Sequence, residues 1–334
     1  MDFIEFIHKR ERESLSQYAF LTENTKGRDL FLVSDGMRTE FQRDRDKIIH
    51  SKSFRRLMHK TQVFLDPEGD HYRTRLTHTL EVMQIGRALS RALRLNEDLT
   101  EAACLGHDLG HTPFGHAGEK VLNRLYSKGF RHNEQSLRVV EKLEKDFEGL
   151  NLTYEVRDAI LCHTGETPAK TLEGKLIKFA DRIAYINHDI DDALRAKILK
   201  FEDLPQDLIK ILGTTGSRRI NTMVNGIITE SDGKNDINMR GDILEAMEKL
   251  REFLFENVYD NNIAKAEEKK AEFMLEQMYD YFVKNYFLLI PEYESIINSE
   301  GIERAVCDYI AGMTDRYSIT QYCKIFVPNT WKEE

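Results

Sequence analysis

Proline is scarce in this chain, with six in 334 residues, and long stretches are rich in Leu, Ala, Glu, Lys and Arg instead. A chain so poor in helix breakers and so rich in helix formers favours helices. Cysteine is nearly as rare. Cys104, Cys162, Cys307 and Cys323 are far apart and form no CxxC pair, which excludes a disulfide framework or a cysteine-based zinc knuckle and predicts reduced, mostly buried thiols. No apolar run approaches the roughly 18–20 residues that a membrane span needs. The opening MDFIEFIHKRERE turns charged too early for a secretory signal, so a cytoplasmic location is expected. Excess positive charge is also missing. The formal charge of −9 argues against general affinity for nucleic acid, although a local basic surface is compatible with it. An apolar share of 41% with 31% charged residues is that of a globular protein.

No internal repeat or low-complexity linker interrupts the chain. Residues 43–60 (RDRDKIIHSKSFRRLMHK) predict one basic amphipathic helix with Ile48, Ile49, Phe54, Leu57 and Met58 as its apolar side. A second helix is predicted over 74–94, where Leu76, Leu80, Met83, Leu89 and Leu93 recur mostly at spacings of three and four. Asn96 followed by Glu97 and Asp98 reads as an N-cap with an acidic first turn, opening a third helix that runs into Gly106 and His107. Glycines and Pro113 break the following GHDLGHTPFGHAGE into a helix end, a turn and a new helix start. Further helices are predicted over 133–147, 153–163 and 171–199, and helical patterns alternate with short polar connections from 205 onward. The run IAKAEEKKAEF reads as a solvated helix face, while 213–240, containing TTGSRRIN and SDGKND, is read as a loop. The expected fold class is all-α, with a core over 1–200 and C-terminal helices over 201–334 packed on it rather than forming an independent domain.

Six of the eleven histidines fall between 71 and 132: His71, His78, His107, His111, His116 and His132. One histidine on a helix is ordinarily a hydrogen-bonded or surface residue, and an HD dipeptide is common by chance. The company of these residues changes that. Asp108 follows His107, with Gly106 and Gly110 read as bending the chain so that both side chains face one point. His78 lies on the preceding predicted helix. On the long downstream helix, Asp181, Tyr185, His188 and Asp189 are spaced i, i+4, i+7 and i+8 and so share one face. Imidazoles and carboxylates together suit one divalent ion, Mn, Mg, Fe, Ni or Zn.

The order His78, His107-Asp108, Asp181 resembles the HD superfamily of metal phosphohydrolases. The words RTEFQRDRDKIIHSKSFRRLMHKTQVF (38–64), RTRLTHTLEV (73–82), GHDLGHTPFGHAGE (106–119), FRHNEQS (130–136) and DRIAYINHDIDDA (181–193) resemble, more narrowly, the deoxyguanosine-triphosphate triphosphohydrolase-like proteins. A last segment, DYIAGMTDRYS (308–318), extends the likeness toward the C-terminus. The resemblance implies an HD-domain core and metal-dependent hydrolysis of deoxynucleoside triphosphates to deoxynucleoside and tripolyphosphate. It implies that His78, His107, Asp108 and Asp181 hold the metal. His116 with Glu119 would form a dyad beside the scissile phosphate, and His111 and His132 would lie close to the phosphates. Arg75 and Arg182 would bind phosphate, and Gln62, Tyr185 and Asp189 the sugar. It also implies a homo-oligomer. A regulatory dNTP is a candidate partner because some relatives have such sites; nucleic acid is an unfavoured one. The base preference is left open. Two alternatives stand behind this reading: another HD phosphohydrolase, acting on a guanosine polyphosphate, a cyclic dinucleotide or a nucleoside monophosphate, or a nucleic-acid-binding HD protein using Arg43, Arg45, Lys47, Lys52, Arg55, Arg56 and Lys60.

Overall fold

In the computed structural model, residues 3–62, 72–259, 262–290 and 292–328 are described; His71 lies outside them. Among the described residues the fold is all-α, and the only bridge between extended segments pairs Thr61 with Thr74. No helix of the described residues is long and apolar enough to cross a membrane. The helices run in the order α1 (Phe3–Ser14), α2 (Glu40–Ile49), α3 (Lys52–Arg56), α4 (Arg75–Ala92), α5 (Glu97–Gly106), α6 (Gly115–Leu125), α7 (His132–Arg138), a distorted single turn α8 (Glu144–Phe147), α9 (Tyr154–Cys162) and α10 (Leu172–Arg195). They continue through α11 (Gln206–Leu212), α12 (Gly216–Ser231), α13 (Gly241–Leu254), α14 (Asn262–Lys284), α15 (Glu294–Glu300), α16 (Ile302–Ala311) and α17 (Asp315–Phe326).

Caps fix where the helices around the site begin. The Thr74 side chain accepts from the Thr77 N–H, Asn96 from the Leu99 N–H and Thr171 from the Gly174 N–H, each meeting an otherwise unpaired first-turn donor. Three expectations fail locally. The helix predicted over 43–60 breaks at His50–Ser51, because Ser51 caps a new short helix and the Lys52 and Ser53 N–H groups donate to Glu144. Ile48 and Leu57 are buried, but Ile49 and Met58 are exposed. The helix predicted over 133–147 leaves α geometry at Val139, and Lys145, Asp146 and Phe147 take positive φ. The segment read as a loop over 213–240 is mostly helix α12, opened by Thr215 accepting from the Arg218 N–H.

Three apolar clusters hold the helices. One joins α4, α5 and α10 to α11, α12 and α13, with Ile183, Ile186 and Ile190 fully buried on the inner side of α10. A second packs α6 against α14 and α16 through Val121, Leu122, Leu275, Met278, Val306 and Ile310. The third joins α2, α5 and α9 through Phe41, Ile48, Leu99, Leu105, Val156 and Ile160. Full burial of each such side chain contributes about 1.5–3 kcal/mol. The candidate catalytic residues lie where α4, the end of α5, the start of α6, α7 and α10 converge. Cys104, Cys162 and Cys307 are buried and Cys323 is exposed.

Candidate functional site

α4 contributes His78, the end of α5 contributes His107 and Asp108, and α10 contributes Asp181. His78, His107 and Asp108 each offer a ligand atom, all within 4.8 Å of one another. Asp181 joins them: its Oδ1 lies 3.1 Å from His78 Nε2 and 4.0 Å from His107 Nε2. Gly106 is helical, contrary to the expected bend. It is glycine because a Cβ there would come within 2.5 Å of Ile160. Gly110 is required differently, since a Cβ would sit 2.1 Å from the Ser136 backbone nitrogen, so the turn after His107 lies directly on α7.

The donor set fits a divalent cation on its own chemistry. His107 Nδ1–H donates to the Cys104 carbonyl at 2.7 Å, which leaves Nε2 as a lone pair, and that buried atom has no hydrogen-bond partner. Fixing one ring nitrogen on a carbonyl is the usual way to aim the other at a metal. Asp108 is held ionised: burial alone would raise its pKa, but the Arg75 guanidinium outweighs it and brings it well below the usual carboxylate range. Its Oδ2 accepts from Arg75 Nη1 at 2.8 Å, leaving Oδ1 turned toward His107 Nε2 at 3.9 Å. Two imidazoles and two carboxylates suit a borderline ion.

A second group of histidines surrounds Asp108. The His111 and His132 rings stack with centroids 4.7 Å apart. Burial and Arg75 keep His111 neutral, its pKa well below the usual histidine value. His132 goes the other way: burial opposes its charge, but Glu119 outweighs that and raises its pKa. Both Glu119 oxygens lie 3.0 Å from His132 Nδ1, and Oε1 also accepts from the His132 backbone N–H at 2.9 Å. His116 Nδ1 is 3.6 Å from Glu119 and its side chain is 83% exposed. The carboxylate expected to orient His116 therefore makes its hydrogen bonds to His132. The reason is packing: α6 and α7 bring Glu119 against the start of α7, while His116 projects outward in the first turn of α6.

Two histidines escaped the sequence reading as site members. His163, at the end of α9, donates from Nδ1 to the Ile160 carbonyl at 2.7 Å and turns Nε2 toward His132 Nε2 at 3.3 Å. Its ring lies 5.1 Å from that of His107, and burial with the neighbouring His107 and His132 lowers its pKa to about 3. Alone in LCHTGE, it carries no spacing signal. His188 is 2.9 Å from His78 Nδ1 through Nε2, and its own Nδ1 is 2.7 Å from Asp189. It backs the candidate ligand and orients it. The i+7 spacing from Asp181 had placed it on the right face without a role.

The expected substrate residues divide. Arg75 is buried against Asp108, and its Nε has no partner. Gln62 lies beside Gly115, with Oε1 buried and unpaired. Tyr185 is partly buried on the same face of α10 as Asp181. Asp189 is deeply buried, and burial raises its pKa well above the usual carboxylate value. Arg182 pairs with Glu248 on α13. The basic set of 43–60 is largely engaged at home. Arg43 pairs with Glu40, Arg45 with Asp46, Lys47 bonds the Asn151 carbonyl, and Lys60 is buried.

Residues 75–186, which carry the whole candidate metal quartet, match the HD domain family, and residues 237–324 match the phosphohydrolase-associated domain. A deoxyguanosinetriphosphate triphosphohydrolase-like protein of Caldanaerobacter subterraneus subsp. tengcongensis is 56% identical over 330 residues, covering 99% of this chain and 97% of the relative. One from Clostridium perfringens is 50% identical over 337 residues, covering 98% of each. The chain belongs to the deoxyguanosinetriphosphate triphosphohydrolase-like family of HD-domain proteins. In fold it is similar to a solved phosphohydrolase of Bacteroides thetaiotaomicron, with a TM-score of 0.54 at 19% identity over 85% of this chain and 69% of that one.

Proposed function

We propose that the protein hydrolyses deoxynucleoside triphosphates to deoxynucleoside and tripolyphosphate. The observation that carries this reading is the convergence of His78, His107, Asp108 and Asp181 next to a second set, Arg75, His111 and His132, suited to an anion. One set without the other would fit a structural metal or a passive phosphate site. The relatives' names support the same chemistry. A divalent ion held by His78, His107, Asp108 and Asp181 would supply Lewis-acid stabilisation of charge on the α-phosphate and acidify a water.

The protein's own groups do the rest. Arg75 offers planar donors to phosphate oxygens, and the His132 imidazolium, held charged by Glu119, adds positive charge beside them. Water attacks the α-phosphorus, the bond from phosphorus to the 5′ oxygen breaks, and His116 delivers the proton that the departing alkoxide takes up. The tripolyphosphate leaves with the water oxygen, and the proton lost by that water passes to solvent. Gln62, Tyr185 and Asp189 are assigned to the deoxyribose. Arg182 is assigned to the phosphates, which requires it to leave Glu248. A homo-oligomer and a regulatory dNTP belong to the same proposal.

Product analysis tests it. Metal-loaded protein is incubated with each dNTP and each ribonucleoside triphosphate, and the products are separated. Deoxynucleoside plus tripolyphosphate is the expected outcome. Monophosphate plus pyrophosphate, or no turnover of any dNTP, would remove this reading.

A further inference from the structure

We propose that Asp315 and Lys60 are positioning residues that clamp the two backbone segments flanking the substrate site onto the C-terminal helices α16 and α17. This inference rests on the proposed function for its catalytic consequence, but not for its geometry. Asp315, the first residue of α17, is 3% exposed. Its Oδ1 accepts from the Phe114 N–H at 3.0 Å, while its Oδ2 accepts from the Thr61 N–H at 3.0 Å and the Thr61 hydroxyl at 2.6 Å. One carboxylate thus grips the segment that carries Gln62 and the turn that launches α6 with His116 and Glu119. Lys60, 2% exposed, donates to the His111 carbonyl and, at 3.0 Å, to the Ala311 carbonyl at the end of α16. Its own carbonyl accepts from the Arg75 N–H at 3.0 Å. Arg75, His111, Gln62 and His116 therefore hang on one buried lysine and one buried aspartate.

The turn needs such a clamp. Phe114 adopts φ 59°, ψ 27°, a left-handed conformation that a residue with a Cβ takes only at a steric cost, and Gly115 follows at φ 56°. A Cβ on Gly115 would stand 3.0 Å from Arg75 Nη2, so the turn passes directly over the phosphate-facing guanidinium. Stability alone does not explain a buried Lys and Asp here, because apolar groups of similar size commonly serve a core as well or better. What the hydrogen-bonding ends of Asp315 and Lys60 add is direction: each fixes particular backbone atoms. The segment DYIAGMTDRYS, which lies far from the HD motifs in sequence, gains a function in this way.

The test uses the full-length protein loaded with Mn²⁺ and compares Asp315→Asn and Lys60→Met with the parent. An asparagine can still accept from Phe114, but its amide group faces the Thr61 donors. Measurements are kcat and KM for the hydrolysed dNTP, bound Mn²⁺, the melting temperature, and hydrogen exchange of peptides covering 57–62, 111–117 and α10. The expected result is faster exchange confined to 57–62 and 111–117, unchanged Mn²⁺ content, and a fall in kcat of about tenfold or more from misplaced catalytic groups. For Lys60→Met, KM stays within about threefold, because the change acts on the His111 turn. Unchanged exchange and kcat would overturn the proposal. So would loss of metal, melting temperature and activity together, which marks a merely structural role. Should the parent hydrolyse no dNTP, the functional reading falls and the exchange pattern alone decides for or against the clamp.

Discussion

Replacing Glu119 with glutamine keeps the shape of the side chain and removes its charge, and the effect on His132 follows from geometry. In the parent, the imidazole Nδ1–H is 3.0 Å from both carboxylate oxygens, and the two side chains are 16% and 19% exposed, so solvent screens the pair little. A hydrogen bond to a charged group contributes about 1.5–3 kcal/mol and a neutral one about 0.5–1.5. The difference, about 1–1.5 kcal/mol, lowers the midpoint of His132 by about one pH unit. The sign for stability follows from the two shifts. The folded pKa of His132 is raised, so its contribution is complete below its ordinary 6.5 and fades as pH rises through the folded value. The folded pKa of Glu119 is lowered, so its contribution is complete above its ordinary 4.5 and fades as pH falls through the folded value. The variant should therefore lose most stability between these two pH values and least above the folded pKa of His132. Nitrogen-15 NMR titration of the ring nitrogens and urea unfolding at pH 5.5 and pH 9 read the two quantities. A His132 midpoint that does not move, or a larger stability loss at pH 9, refutes the reasoning.

His107→Ala and Asp181→Ala should each lose bound divalent metal and activity together, read by metal analysis after dialysis beside a turnover assay. His116→Ala should retain the metal but slow turnover by about 10²-fold, the usual loss for a missing general acid; a parental rate would remove His116 from proton transfer. Gly110→Ala should lower stability by about 1–3 kcal/mol, because the new methyl meets the Ser136 backbone nitrogen at 2.1 Å and the turn must back away from α7. Thermal unfolding followed by circular dichroism measures it, and an unchanged melting temperature would contradict that contact.

Much of the framework was legible along the chain because its determinants act within a few residues. Thr74, Asn96 and Thr171 each cap the helix that begins beside them, and the three- and four-residue spacing of Ile183, Ile186 and Ile190 turns one face of α10 to the core. Spacing also put Asp181, Tyr185 and Asp189 on one stripe, since a helix fixes which side chains share a face whatever packs against it. Partner choice obeys no such local rule. Glu119 is three residues from His116 but gives its hydrogen bonds to His132, because α6 and α7 meet there. His163 and His188 look ordinary in sequence and reach the site only because α9 and α10 deliver them to His132 and His78. Arg182 finds Glu248, and Asp315 finds Thr61 and Phe114, across distances that only the packed fold closes. The sequence by itself determined where α4, α5 and α10 start, which face of α10 is buried and which residue types could meet a metal and a phosphate. Tertiary structure decided which acid serves which histidine, since hydrogen bonds reach about 3 Å in space and take no account of distance along the chain.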